Sequence, residues 1–342
     1  MRNSLYIISL GLLVLSCGTQ QKPVQKVVAK PVPKTTSTTT TNTSTQTVTK
    51  PAMQHQGSNH FYRTNIANSA KGDNTISHGS IVSAEPNHYK VVHNFFPAVA
   101  QNFRQRFIIL HYTALDHDKS VRVLTEQAVS SHYLVNDTDD KEIYQLVDEN
   151  KRAYHAGVSE WRKITNLNDT SIGIEIVNTG YTADAKGVKT FYDYPEWQFK
   201  KVGELVKDLV KRYDILPQNV IAHSDIAPTR KEDPGPKFPW KRLYNEYGVG
   251  MWYDDAAKMN YLNQLNPEIF PIDSNNPTFI FKYQTYLNNF GYGIMPSGTY
   301  DNATKRTIEA FQYHFRPEKY DGIMDMETWA ILQALLDKYP AK

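Results

Sequence analysis

Cysteine is almost absent from this chain of 342 residues: Cys17 is the only one. That excludes an intramolecular disulfide and a zinc site built from thiolates. Metal chemistry here has to draw on His, Asp or Glu. An excess of one charge is lacking too. Lys and Arg number 38 against 35 Asp and Glu, a formal net charge of +3, which is too small to argue for nucleic acid as a partner. The one markedly apolar stretch near the start, residues 5–15, is too short to span a bilayer as a stable anchor. The H-E-x-x-H helix of many zinc peptidases does not occur.

The first informative segment is the N-terminus. Arg2 supplies a positive start, the apolar stretch follows, and it closes on VLSC with Cys17 last. This arrangement resembles a bacterial lipoprotein signal with its lipobox. The resemblance implies that residues 1–17 form the signal, that Cys17 is lipidated, and that it becomes the new N-terminus. Several acyl chains on one residue anchor a protein stably where one chain does not. A membrane-anchored lipoprotein of the cell envelope is expected, in the outer membrane of a Gram-negative bacterium, with which Gly18 is compatible. Residues 18–57 are Lys/Pro/Val-rich and then nearly all Thr and Ser. They have no apolar period to offset ordering entropy. A disordered tether is expected, with a root-mean-square reach of roughly 35 Å.

From about residue 85 to 250, strand and helix patterns alternate. FIILHY (107–112) and SIGIEIVN (171–178) read as buried strands, and NVIAH (219–223) as a final one. SHYLVN (131–136) and EIYQLV (142–147) read as a hairpin. SVRVLTEQA (120–128) reads as helical, and residues 193–213 as the clearest helix. There Asp193 and Glu196 have capping-box spacing, and Val202, Val206, Leu209 and Tyr213 share a face. The expected fold class is α/β (α+β): a central mixed β-sheet flanked by helices. Residues 251–276 read as a linker. Residues 277–342 carry three amphipathic helical periods, a small C-terminal three-helix domain.

The chemistry concentrates in AHSDIAPTRKEDPG, residues 222–235, read with His111 far upstream. His111 and His223 each end a strand, and Asp233 lies ten residues after His223. Two imidazoles and one carboxylate leave a tetrahedral position open, which suits a hydrolytic zinc better than a structural one. Glu175 sits in an apolar strand on the face opposite Ile172, Ile174 and Ile176, where a carboxylate is costly unless it faces a cleft or a partner. Each residue alone fits a blander role: a satisfied histidine, a buried ion pair, a solvated turn. The joint pattern points to a site.

HYTA, IGIEIVN and AHSDIAPTRKEDPG together resemble the zinc-dependent N-acetylmuramoyl-L-alanine amidases of the amidase-2 type, relatives of the peptidoglycan recognition proteins. The resemblance spans residues 88–248. It implies one Zn2+ per chain on His111, His223 and Asp233, Glu175 as general base, and Lys231 as stabiliser of the oxyanion. SSHYLV and YHAG also recur in that family, so His132 and His155 are expected in the substrate groove. Asp225 is expected to support the His223 loop. Residues 283–332, with Asp321, Gly322, Asp325, Thr328 and Trp329, resemble a three-helix peptidoglycan-binding domain, in which Leu287, Phe311 and Trp329 are expected in the core. The implied partners are peptidoglycan or muropeptide as substrate and a membrane through Cys17; a monomer is expected. Two alternatives stay open: a binding-only protein of the same fold, which would lack the third ligand, and a zinc peptidase cutting within the stem peptide.

Overall fold

The computed structural model describes residues 86–90 and 102–341, together with strands β1 (Met53–Gln56) and β2 (Asn59–Tyr62), which pair antiparallel. The signal, Cys17 and the tether as far as residue 52 lie outside the described residues. Among the described residues no helix is long and apolar enough to cross a membrane.

Five strands form the central sheet: β3 (Phe107–Tyr112), β4 (Tyr133–Val135), β5 (Tyr144–Gln145), β8 (Ser171–Ile176) and β11 (Val220–Ala222), in spatial order β11-β3-β8-β4-β5. β3, β8, β4 and β11 run parallel, and β5 returns antiparallel on β4, so the sheet is mixed as expected. The central strands are apolar on both faces because both faces are covered; Ile108, Ile109, Leu110, Ile172 and Ile174 are wholly buried. Two small hairpins stand outside it, β6 (Glu160–Trp161) with β7 (Ile164–Thr165) and β9 (Tyr181–Ala183) with β10 (Lys189–Phe191).

Helix α1 (His117–Glu126) starts three residues before its sequence pattern suggests, because Asp116 caps it by accepting the Lys119 N–H. Helix α2 (Glu196–Tyr213) buries Val202, Val206, Leu209 and Tyr213. The capping box expected of Asp193 and Glu196 does not form. Asp193 pairs with Lys237 at 3.0 Å and Glu196 with Arg242 at 2.8 Å, so charge pairing across elements wins over the local cap. β11 stops at Ala222, and His223 opens a one-turn helix, α3 (His223–Ile226), instead of closing the strand. Helix α4 (Trp240–Tyr247) follows.

The stretch 251–276 is not bare linker. It contains helix α5 (Asp255–Leu262) and the short α6 (Phe270–Asp273). The C-terminal helices are α7 (Pro277–Phe290), α8 (Asn302–Phe315) and α9 (Met326–Lys338). Asn276, Asp301 and Asp325 cap them, accepting the backbone N–H of Thr278, Thr304 and Thr328 respectively. Asp325 and Thr328 of the sequence motif are thus the start of α9, while Leu287, Phe311 and Trp329 are core residues. One apolar cluster runs without a break from Phe107 in the sheet to Leu335 in α9. Trp161 of β6 lies edge-on to Tyr292 at 5.1 Å, and a Cβ on Gly291 would come within 2.9 Å of that indole.

α2 is also fixed by charge. Arg212 donates two bonds of 2.6 Å to the buried Glu149, and the hydroxyls of Tyr133 and Tyr213 donate to the same carboxylate. Burial opposes ionisation of Glu149, but Arg212 and the two hydroxyls hold its pKa below the usual value. The pairing therefore contributes stability at neutral pH that is lost as pH falls through the folded pKa. Arg212→Met leaves a buried carboxylate without its counter-charge, and is expected to lower stability by about 3–5 kcal/mol in denaturant unfolding. A loss near zero would mean that Glu149 is solvated and the pairing incidental.

Candidate active site

The parallel register builds the site. His111 on β3 is paired with Glu175 on β8, and Leu110 with Ala222 on β11, the residue before His223. Residues paired across parallel strands point to the same face. His223, His111 and Glu175 thus stand in a row at the rim where three strands end. Asp233 reaches this row from the loop after α3, where the Asp233 carbonyl accepts the Ser224 N–H at 2.9 Å.

Three buried atoms converge there. His111 Nδ1 lies 2.8 Å from His223 Nδ1 and 3.0 Å from Asp233 Oδ2, and His223 Nδ1 lies 2.9 Å from Asp233 Oδ2. Their hydrogen-bond partners assign the tautomers. His223 Nε2 is 3.1 Å from the Ala156 carbonyl, which only accepts, so Nε2 carries a proton and Nδ1 is the nitrogen turned to the cluster. His111 is fixed through a relay. Ser171 Oγ donates to the Leu167 carbonyl at 2.5 Å, so it accepts from His155 Nε2 at 3.1 Å. His155 Nδ1 then accepts from His111 Nε2 at 3.0 Å, which leaves His111 Nδ1 unprotonated. Burial, and His223 beside it, push His111 down to about 4, so its ring is neutral at pH 7.

Two imidazole nitrogens and a carboxylate oxygen therefore face one point. A cation placed there satisfies all three. His111, His223 and Asp233 form a cluster able to hold a metal ion. Two nitrogens and one oxygen match the zinc preference, and opening the spacings to the ~3.3 Å edges of a tetrahedron with ~2.0–2.1 Å bonds takes only a few tenths of an ångström. The residues fit the group.

Glu175 completes the row. Its Oε2 is enclosed and has no hydrogen-bond partner. Burial, with Asp233 nearby, raises its pKa to about 8 against the opposing pull of Lys231. Glu175, Lys231 and Asp233 line a cleft of about 440 Å³ whose rim includes the exposed Tyr154 and Val129. A carboxylate poised to exchange a proton, a lysine and a metal-binding cluster at one open cleft are the parts of a hydrolytic centre.

Of the two histidines expected in the groove, His155 lines the cleft and His132 does not. His132 has no exposed surface: its Nε2 donates to the Lys151 carbonyl and its Nδ1 accepts the Gly173 N–H, each at 3.0 Å. It ties β4 to β8. Both ring nitrogens of His155 are used by His111 and Ser171, so it orients His111. Gly173 makes this possible, since a Cβ there would sit 2.4 Å from the His155 ring. Sequence reading passed over Ser171; a serine at a strand start carries no signal of its own.

A parallel-cored sheet with this rim defines a hydrolase. The family model for N-acetylmuramoyl-L-alanine amidase matches residues 101–236, and one for a peptidoglycan-binding domain matches residues 279–332. The chain is 44% identical over 241 residues to the N-acetylmuramoyl-L-alanine amidase AmiD of Escherichia coli, covering 69% of this chain and 84% of that protein. The 1,6-anhydro-N-acetylmuramyl-L-alanine amidase AmpD of Escherichia coli is 40% identical over 115 residues, 34% of this chain and 55% of AmpD. Among solved structures, AmiD in complex with anhydro-N-acetylmuramic acid-L-Ala-D-gamma-Glu-L-Lys aligns with a TM-score of 0.67 and 41% identity, covering 75% of this chain and 98% of that one. AmpDh3 of Pseudomonas aeruginosa in complex with anhydromuramic pentapeptide aligns at 0.62 and 42%, covering 76% and 100%. This chain belongs to the N-acetylmuramoyl-L-alanine amidase family.

A cation at the cluster favours the ionised form of Glu175, so metal binding expels its proton wherever the metal-free protein holds one. Zinc affinity, read by chelator competition, is expected to rise with pH up to about 8, and Glu175→Gln to lose that dependence. Wild-type affinity that stays flat between about pH 6 and 8 would show that Glu175 is already ionised without metal.

Proposed function

We propose that the chain hydrolyses the amide between N-acetylmuramic acid and L-Ala in muropeptides and in the wall, using one zinc ion per chain held by His111, His223 and Asp233. The carrying observation is the convergence of His111 Nδ1, His223 Nδ1 and Asp233 Oδ2 beside Glu175 and Lys231 at one cleft. The relatives captured with anhydro-muramyl peptides support a muropeptide as substrate. Zinc there supplies Lewis acidity, which acidifies water and polarises a carbonyl oxygen. Glu175 accepts the proton of the attacking water at its carboxylate and delivers it to the nitrogen of the leaving L-Ala. The Lys231 ammonium stabilises negative charge developing on the carbonyl oxygen. His155 and Ser171 hold His111 in the required tautomer.

The binding-only alternative is disfavoured because Asp233 and Lys231 are both present and both face the cleft. The peptidase alternative lacks support, since the relatives of known activity named above are muramoyl-alanine amidases. The C-terminal helices are proposed to concentrate the enzyme on polymer. Lipidation of Cys17 is proposed to anchor it at the outer membrane, with the Thr/Ser-rich segment as tether.

Two experiments address this reading. Glu175→Gln is nearly isosteric and cannot take up a proton; it is expected to keep fold and zinc while losing about 10²–10⁴ in rate on a soluble muropeptide. Near wild-type turnover would move the base elsewhere. Cys17→Ala is expected to shift the protein from the membrane fraction to the soluble envelope fraction and to abolish incorporation of labelled fatty acid. Unchanged fractionation would remove Cys17 as the anchor.

A further inference from the structure

We propose that the C-terminal helical unit is a working part of the active site: Tyr292 and His314 hold Asp225, and through it the turn that presents His223. Asp225 is wholly buried two residues after that ligand. Its Oδ2 accepts the Ala222 N–H at 2.9 Å, pinning the backbone on which α3 and His223 begin. The remaining donors come from the C-terminal unit. His314 Nδ1 of α8 donates to Oδ2 at 2.6 Å, and the Tyr292 hydroxyl, just beyond α7, donates to Oδ1 at 2.6 Å.

Both donors are themselves immobilised. The His314 imidazole stacks on Trp240 with centroids 3.9 Å apart, and on Phe315 at 3.9 Å. The Tyr292 ring is wedged against Trp161. Asp225 is therefore a carboxylate whose position is set by one backbone amide of the catalytic sheet and two side chains of the other unit. His223 Nδ1 and His111 Nδ1 are 2.8 Å apart, so a small rotation of the turn alters the donor set directly. On this reading the unit positions a metal ligand as well as carrying any affinity for the wall.

The inference rests on the zinc reading, and the experiment separates the two. In the full chain, Tyr292→Phe removes one hydroxyl at constant shape, His314→Leu removes the imidazole donor, and His314→Asn restores a donor near the Nδ1 position. Arg162→Gln is the control. It cuts contacts of the same junction, to the carbonyls of Phe290 and Tyr339, away from Asp225. The readouts are zinc affinity by chelator competition, kcat and KM on a small soluble muropeptide, and pelleting with sacculi.

Tyr292→Phe and His314→Leu are expected to weaken zinc binding about 10–100-fold and to lower kcat with little change in KM or pelleting. His314→Asn should recover much of the loss, and Arg162→Gln should change neither zinc affinity nor kcat. Zinc affinity within twofold of wild type in both Asp225-partner variants overturns the proposal. So does an equal loss in Arg162→Gln, which would mean general loosening of the junction. A wild type that binds no zinc would instead defeat the metal reading itself.

Discussion

Three parallel strands end at the same rim of the sheet, and their hydrogen-bond register decides which side chains meet there. His111 faces Glu175 because β3 and β8 pair in that register, and His223 joins them because β11 pairs with β3 one residue short of it. A slip of one residue in β8 would turn Glu175 to the opposite face and bring an isoleucine to the row. The heavy apolar content of these strands is thus a condition for the chemistry. Ile172, Ile174 and Ile176 make the register unambiguous by burying one face completely.

The polar groups of this rim contrast with those of α2. Glu149 is fully paired by Arg212, Tyr133 and Tyr213, and it serves the fold. At the site, two imidazole nitrogens and a carboxylate oxygen crowd together, and Glu175 keeps an oxygen without a partner. A buried polar atom left unpaired costs about 1–3 kcal/mol. The sheet tolerates this cost because the surrounding core is large. Beneath the site, each protein atom of the relay is satisfied: His223 by Ala156, and His111 by His155, Ser171 and Leu167. Order in the supporting layer is what permits convergence in the layer above.

The two family matches, residues 101–236 and 279–332, suggest beads on a string. The core crosses between them instead. Trp161 and Trp240 from the catalytic part are buried against Tyr292 and His314, and Arg162 reaches the last carbonyl of α7 and the one that follows α9. Each large aromatic buried in this way contributes about 1.5–3 kcal/mol, so the junction is a substantial part of the fold and not a crystal-like touch of two surfaces. A unit that binds polymer and also braces a ligand turn would couple placement on the wall to the geometry of the cut.

Residue type and spacing by themselves determined much of this protein. The sole cysteine excluded thiolate sites, FIILHY and SIGIEIVN had to be buried strands, and His111, His223 and Asp233 stood out as candidate ligands. The order of strands in the sheet, by contrast, is a long-range property. Nothing local says that β3 lies between β8 and β11, and so nothing local places His111 beside Glu175. The roles of His132 and His155 were decided in three dimensions, because a histidine in a groove and a histidine behind a ligand carry the same sequence. The capping box of Asp193 failed for a related reason: Lys237 and Arg242 come close only once the chain has folded. The bond from His314 to Asp225 joins residues 89 apart. Amphipathic period marks α8, but which buried donor meets which buried acceptor depends on how the apolar faces settle together, and that is a property of packing.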